Sequence, residues 1–328
     1  MHSRFFIYSI PFFIALLFPP NQAHGWGFWG HKRINRMAVF TLPPEMMGFY
    51  KQNIEFLTQH AVDPDKRRYA VQDEAARHYI DLDHYGKLPF DNMPREWKYA
   101  VAKFSEDTLK AYGIVPWRIE QMYTRLIDAF KKKDARYILQ TSADLGHYIG
   151  DAHVPLHTTK NYNGQLTNQY GIHGLLESRI PELLGDATYD FWVGKALFIE
   201  KPLDAAWKAV LESHVAVDSV FQFEKDATKE IGEDLKYVFE TKGATTLKSY
   251  SEPFTILFNN KLANMMERRM KTATITVGSF WYSAWVEAGQ PDLDKLSFVP
   301  LSKTEEQEID ALNKAYQMGT IRGRTEAN

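Results

Sequence analysis

The chain has 328 residues, of which 45% are hydrophobic, enough to bury the core of one large domain or two small ones and too many for disorder to dominate. Lys and Arg number 39 against 41 for Asp and Glu, and the formal net charge of −2 excludes a global attraction to nucleic acid or anionic lipid. Cysteine is absent, which excludes disulfides and thiolate ligands. Any metal must therefore be bound by His, Asp, Glu or backbone atoms, and zinc is a natural candidate.

The N-terminal segment has the pattern of a signal peptide. A weakly positive flank at Arg4 precedes an apolar run from Phe5 to Phe18, which is short for a bilayer span of about 20 residues. A membrane anchor is the alternative interpretation. Small residues at Ala23 and Gly25 suit a peptidase, so we expect residues 1–25 to be removed. The mature chain would begin at Trp26 and be exported, either to a periplasm or out of the cell.

Apolar residues at helical spacing dominate the rest of the chain, and alternation with period two is hard to find. The pattern predicts an all-α, single-domain helical bundle over residues 26–328, with a flexible tail at about 319–328. Breaks are expected at the prolines 43–44, 64, 89, 155, 202 and 291. The predicted helices cover residues 31–40, 44–59, 95–112, 117–130, 134–150, 166–184, 203–240, 256–288 and 302–317, the last with a capping box at Ser302 to Glu305.

One candidate metal pair is His147 and Asp151, which are four residues apart and so share one face of a helix. Pro155 ends that helix and turns His157 back towards the same region. A His/Asp pair at this spacing is on its own more often a surface interaction. The flanking glycines and the third histidine favour a metal site.

A second pair, His173 and Glu177, has the same spacing, although alone it would be read as a solvated pair at a helix start. A third element is His78, which lies between acidic residues at Asp63 and Asp81. Its alternative role is that of a satisfied core histidine.

The fourth element is Trp26 with His31, directly after the expected cleavage site. A free α-amino group and its own carbonyl oxygen can chelate a metal, and His31 could complete that site. The alternative is an aromatic anchor for the core.

Together, these four elements resemble the superfamily of bacterial zinc-dependent phospholipases C and single-strand-specific zinc nucleases. The resemblance covers most of the mature chain, and the joint order of its fragments is highly specific. It implies three zinc ions. One would be bound by Asp63, His78, His147 and Asp151, the second by His157, His173 and Glu177, and the third by Trp26, His31 and the shared Asp151.

The resemblance also implies the chemistry. A water between two zinc ions would lose a proton near neutral pH and attack phosphorus, and the third zinc would stabilise the leaving oxygen. We expect Asp63 and Asp151 to be catalytic through the metals. Lys66 stands where the nucleases carry a basic residue and would neutralise the transition state, although it could also be a solvated surface lysine.

The substrate is either a phospholipid or a nucleic acid. Glu177 in place of Asp, the short connection between His157 and His173, and the missing cysteines favour a phospholipase-C-like phosphodiesterase, for which peripheral membrane contact would be compatible. A single-strand-specific nuclease is the alternative. The predicted substrate-binding residues are Tyr79, Asp81 and Asn163. No obligate protein partner is implied. An exported protein that binds zinc only to hold its helices together is a further alternative.

Overall fold

The computed structural model describes residues 27–88, 90, 92–242, 245–296 and 303–319. Within these ranges the prediction of an all-α fold is confirmed, with one two-stranded hairpin added. The helices are α1 Gly27–Ala38, α2 Pro44–Gln52, α3 Ile54–His60, α4 Asp63–Arg67, α5 Trp97–Phe104, α6 Glu106–Tyr112, α7 Val115–Lys132, α8 Ala135–Ala152, α9 Ile172–Gly174, α10 Ile180–Thr188, α11 Pro202–Val215, α12 Val217–Ile231, α13 Glu233–Lys236, α14 Glu252–Lys261, α15 Met265–Glu287 and α16 Lys303–Gln317.

Four short 3₁₀ turns and one π-helical turn connect or extend these helices in the described part of the chain. The 3₁₀ turns are Val39–Thr41, Ala75–Arg77, Leu82–His84 and Pro155–Thr158. The π-helical turn, Leu175–Arg179, joins α9 to α10 without a break. No helix among the residues described is both long and apolar enough to span a bilayer.

Helices α7, α8 and α15 form the centre of the bundle. The apolar face of α7, which includes Met122, Leu126 and Phe130, is buried against α8, α11 and α15. Trp281 of α15 is fully buried, and its indole N–H donates to the Ser142 carbonyl of α8 at 3.0 Å. Burial of such side chains supplies most of the driving force for packing, about 1.5–3 kcal/mol for each large apolar group.

Helix α1 crosses α8 at Gly146, where the two backbones come close together. A Cβ atom at Gly146 would overlap the buried Asn35 side chain, which donates to the Ala143 carbonyl at 3.0 Å. Glycine at this position therefore allows His31 of α1 and His147 of α8 to stack their rings with centroids 3.8 Å apart. The helix crossing thus determines part of the candidate metal centre.

The prolines mark helix boundaries as expected, but mostly at the beginning of helices. Pro44, Pro64, Pro116, Pro155 and Pro202 all occupy the first turn of a helix or 3₁₀ turn. Proline is favoured there because its missing N–H would have no intrahelical partner. Pro89 and Ser302, at a predicted break and a predicted cap, lie outside the described residues.

The prediction of one helix over residues 203–240 was wrong. The structure breaks it at Ala216 and Gly232, and Gly232 has a φ of 89°. After α13 the chain forms an antiparallel hairpin of β1 Tyr237–Lys242 and β2 Thr245–Tyr250. Tyr237 pairs with Tyr250, and their rings are 4.9 Å apart. Such cross-strand aromatic pairs stabilise a hairpin. The sequence did not predict it, because the helical spacing of the preceding residues favoured a continued helix.

Candidate metal centre

Side chains from five separated parts of the chain meet beside α8, and every one is at most 2% exposed. They come from α1, from α4 and the segment that follows it, from α8 itself, from the 3₁₀ turn Pro155–Thr158, and from α9 with its π-helical extension. The residues are His31, Asp65, His78, His147, Asp151, His157, His173 and Glu177. Their ligand atoms form groups compact enough to bind metal ions.

The first cluster is His78, His147 and Asp151. Asp151 Oδ2 lies 2.9 Å from His78 Nδ1 and 3.2 Å from His147 Nε2. The two imidazole nitrogens are 3.1 Å apart. His147 and Asp151 converge because they are four residues apart on α8, as the spacing predicted.

The fourth residue of this cluster differs from the prediction. Asp65 is fully buried, with Oδ1 3.7 Å from both His78 Nδ1 and His147 Nε2, and it groups with His31 and His147. Asp63 belongs to none of these groups. Its carboxylate contacts His60 Nδ1 at 2.5 Å and Lys66 Nζ at 3.2 Å.

The difference between Asp63 and Asp65 is one of helix geometry. Asp63 begins the short helix α4, and Asp65 lies two residues on, about 200° around the axis. Only one of them can face α8. The sequence contained both carboxylates, but no pattern in it told which face of such a short helix is buried.

The second cluster is His157, His173 and Glu177. Glu177 Oε2 lies 3.2 Å from His173 Nε2 and 3.5 Å from His157 Nε2. Glu177 sits in the π-helical turn, a local distortion that is frequent at functional sites. The spacing predicted that His173 and Glu177 face the same way, but it did not predict the wider turn.

His31 groups with Asp65 and with His147 of the first cluster. Its Nε2 is 3.3 Å from Asp151 Oδ1, the oxygen that points away from His147. Asp151 therefore presents one oxygen to the first cluster and the other to His31, with His157 Nδ1 at 3.8 Å. The role of Asp151 as a carboxylate shared by two zinc ions stays a prediction, and the directions of its two oxygens are compatible with it. Trp26, the other predicted ligand beside His31, lies outside the described residues.

Backbone carbonyls orient three of the imidazoles. His147 Nδ1 donates to the Ala61 carbonyl at 2.8 Å, His157 Nδ1 to the His78 carbonyl at 2.6 Å, and His173 Nδ1 to the Tyr162 carbonyl at 3.1 Å. A carbonyl oxygen can only accept, so these bonds place the proton on Nδ1. Each Nε2 lone pair is then directed into the site, as in most metal-binding histidines.

The pKa values of Asp151 and Glu177 are low despite the burial of both carboxylates. Burial alone would raise the pKa of Asp151, but the adjacent His147 and His157 hold it well below its usual range. The pKa of Glu177 is lowered in the same way, because His173 and His157 outweigh burial. Two buried anions among several imidazoles form an environment that a cation would complete.

The donors fit zinc. Both ring nitrogens of His31, both oxygens of Glu177 and Oδ1 of Asp151 are buried with no hydrogen-bond partner among the residues described. Such atoms are costly unless a ligand satisfies them, at about 1–3 kcal/mol each. Imidazole nitrogen and carboxylate oxygen without thiolate is a common donor set for catalytic zinc.

The remaining predicted residues do not all have the expected surroundings. Tyr79, predicted to bind substrate, is only 5% exposed, and its hydroxyl donates to the Ala111 carbonyl at 3.3 Å, so little of its ring is accessible to a substrate. Asp81 is also buried, and its backbone N–H donates to Tyr112. Asn163 Oδ1 accepts from the Gly171 N–H at 3.1 Å. This hydrogen bond of Asn163 thus stabilises the loop that leads to His173.

Comparison with known proteins provides independent support. A search among curated proteins found no match to the chain. The family model described as S1/P1 Nuclease matches residues 26–172, which include α1, α4 and α8 and the first cluster. The match confirms the superfamily that the sequence resembled. Residues 26–172 thus match the S1/P1 nuclease family, a family of zinc-dependent phosphodiester hydrolases, and this match supports an enzyme of that class.

Proposed function

We propose that this protein is an exported nuclease that cleaves phosphodiester bonds in single-stranded nucleic acid. The observation that carries the proposal is the coincidence of the S1/P1 nuclease match with the buried histidine and carboxylate clusters. The sequence alone favoured a phospholipase-C-like activity. The family match shifts the proposal to nucleic acid, which was the alternative.

The proposed ligands follow the observed clusters. His78, His147 and Asp151 would bind one zinc with Asp65, which replaces the predicted Asp63. A second zinc would be bound by His157, His173 and Glu177, which leaves a position open for water or substrate. The third would lie at His31 and Asp151 Oδ1 together with the amino group and carbonyl of Trp26.

Zinc bound at these positions would act as a Lewis acid on the phosphate and bring the pKa of water close to neutral. Asp151 orients two parts of the site at once, because its two oxygens point to different imidazoles. Lys66, which is half-buried and pairs with Asp63, would offer its ammonium group to the phosphate of the substrate. Asp63 contacts that ammonium at 3.2 Å and would position it, which gives Asp63 a role other than metal binding.

Export forms part of the proposal. The apolar run from Phe5 to Phe18 supports a signal peptide, and helix α1 begins at Gly27, directly after Trp26. The third zinc depends on cleavage before Trp26. We therefore expect a chain that begins at Trp26 to bind one more zinc than a chain that retains residues 1–25, measured by elemental analysis. Equal zinc content in both forms would contradict this ligand assignment.

A phospholipase C is the second candidate, favoured by Glu177 and by the short connection from His157 to His173. The test is a parallel assay of the zinc-loaded mature protein on single-stranded DNA, RNA, duplex DNA, phosphatidylcholine vesicles and a generic phosphodiester. We expect cleavage of single-stranded substrates first, and loss of all activity in His147→Ala. Cleavage of lipid alone would overturn the nuclease proposal. No cleavage of any substrate would favour a protein that binds zinc for stability.

A further inference from the structure

A buried carboxylate lies behind the first cluster and belongs to none of the described ligand groups. Glu74 precedes the 3₁₀ turn Ala75–Arg77, and its side chain is 0% exposed. Its Oε1 lies 3.7 Å from His78 Nε2, the ring nitrogen on the far side from Asp151. A buried anion so close to an imidazole can influence which ring nitrogen carries the proton.

His78 differs from the other histidines of the clusters. His147, His157 and His173 direct Nδ1 to a backbone carbonyl and Nε2 into the site. His78 is reversed, with Nδ1 2.9 Å from Asp151 Oδ2 and Nε2 facing Glu74. Glu74 Oε1, at 3.7 Å and so beyond hydrogen-bond distance, thus lies on the side of the ring where the other three histidines have a carbonyl.

We propose that Glu74 is a positioning residue that fixes the orientation and tautomer of His78 for zinc binding. An anion beside Nε2 favours the proton on that nitrogen, which leaves the Nδ1 lone pair for the metal. A carboxylate behind a metal-binding imidazole also makes the imidazole a stronger donor than a carbonyl would. The inference rests on the assignment of His78 as a zinc ligand in the proposed function.

Neighbouring side chains hold Glu74 in place. The Tyr148 hydroxyl donates to Glu74 Oε1, and Arg77 Nη1 donates to Oε2 at 2.5 Å. Arg67 Nε lies 3.7 Å from the same Oε2. Both oxygens are therefore constrained, and Oε1 keeps its direction towards His78.

The chain provides a matched control. Asp144 belongs to the same buried network, since Arg67 Nη2 donates to its Oδ2 at 2.8 Å, and this contact lies on the side of Arg67 and not of His78. Asp144→Asn, like Glu74→Gln, removes one negative charge that faces Arg67. Only Glu74→Gln removes the charge that faces the imidazole.

The experiment measures zinc affinity by competition with a chelator, together with the absorption spectrum of the cobalt-substituted protein. We expect Glu74→Gln to bind the zinc at the first cluster about 10- to 100-fold more weakly and to change the cobalt spectrum, the usual range for such a group. Asp144→Asn should stay within about threefold of the wild type. Wild-type affinity in Glu74→Gln would overturn the inference, as would equal losses in both variants.

Two further variants complete the test. If Glu74→Gln does not fold, Tyr148→Phe removes one hydrogen bond that fixes Glu74 with little change of shape, and its zinc affinity should fall about threefold or more. An unchanged affinity in that variant would overturn the inference. His78→Ala tests the underlying assignment. If His78→Ala retains its full zinc content, the proposed ligand set is wrong. If His78→Ala loses zinc but Glu74→Gln binds zinc with wild-type affinity, only the role of Glu74 is refuted.

Discussion

Asp65→Asn and Asp63→Asn form a matched pair that tests which carboxylate of α4 binds metal. Asp65 is fully buried and 3.7 Å from two imidazole nitrogens, whereas Asp63 is partly exposed and pairs with His60 and Lys66. Both substitutions keep the shape of the side chain and remove one negative charge. Their effects on zinc binding should therefore differ only through position.

The size of the difference follows from the energy of a zinc site. A four-ligand site binds zinc with about 10–16 kcal/mol, or about 2.5–4 kcal/mol per ligand, so loss of one ligand costs about 70- to 900-fold in affinity. We expect a loss of this size in Asp65→Asn. The partly exposed ion pairs of Asp63 are worth about 0–1 kcal/mol, so zinc affinity should change less than about fivefold in Asp63→Asn.

The assay is zinc affinity by chelator competition, with cleavage of single-stranded DNA measured on the same zinc-loaded samples. Asp63→Asn should keep its zinc but cleave more slowly, because Lys66 loses the carboxylate that positions it. If Asp63→Asn loses zinc while Asp65→Asn retains it, the assignment from the structure is refuted and the assignment from the sequence is correct.

Three further predictions concern the metal and the fold. Chelation should abolish cleavage and zinc should restore it, while the helical circular dichroism persists; joint loss of both signals would indicate structural zinc. Glu224→Gln removes the charge partner of the buried Lys236 at 2.7 Å, and should lower the free energy of unfolding by about 3 kcal/mol in urea titrations. An unchanged midpoint would contradict this. Gly146→Ala should lower the free energy of unfolding by about 1–3 kcal/mol in the same titration, because its Cβ atom would overlap α1. Gly48 is exposed in helix α2, so Gly48→Ala should raise the free energy of unfolding by about 0.5–1 kcal/mol. Equal effects would refute the close crossing.

The sequence predicted the parts of the site that depend on local spacing. His147 with Asp151 and His173 with Glu177 face one another because residues four apart share a helix face, whatever the rest of the fold does. The helical bundle was equally predictable from the period of apolar residues. The end of the helical region within residues 203–240 could not be predicted in the same way. The hairpin that follows it depends on pairing between two strands, which the spacing of apolar residues does not show.

Other parts of the site depend on tertiary contacts that a single sequence does not contain. The choice of Asp65 depends on which face of α4 packs against α8. The burial of Tyr79 depends on its neighbours, since its hydroxyl reaches Ala111, 32 positions further along the chain. Glu74 was missed because a glutamate four residues before His78 looks like any exposed acidic residue until the two arginines and Tyr148 surround it.

The two clusters are linked through His78, which contributes to each by a different group. Its imidazole faces Asp151 in the first cluster, and its carbonyl accepts from His157 Nδ1 in the second. The link is reciprocal, because the Ile80 N–H donates to the His157 carbonyl at 2.9 Å. The orientation of the second cluster therefore depends on the backbone at residue 78 and not on its side chain.

This link makes a prediction that separates side chain from backbone. His78→Ala removes a ligand of the first cluster but keeps the carbonyl, so the zinc at His157, His173 and Glu177 should bind with wild-type affinity. His78→Pro also removes the imidazole, and its ring prevents the His78 N–H bond to the Ala75 carbonyl, at 3.3 Å, that fixes this backbone. We expect zinc to be lost from both clusters in that variant. If the second cluster also loses its zinc in His78→Ala, the two zinc sites are coupled through the metal ions. The carbonyl of His78 would then not be the group that orients His157.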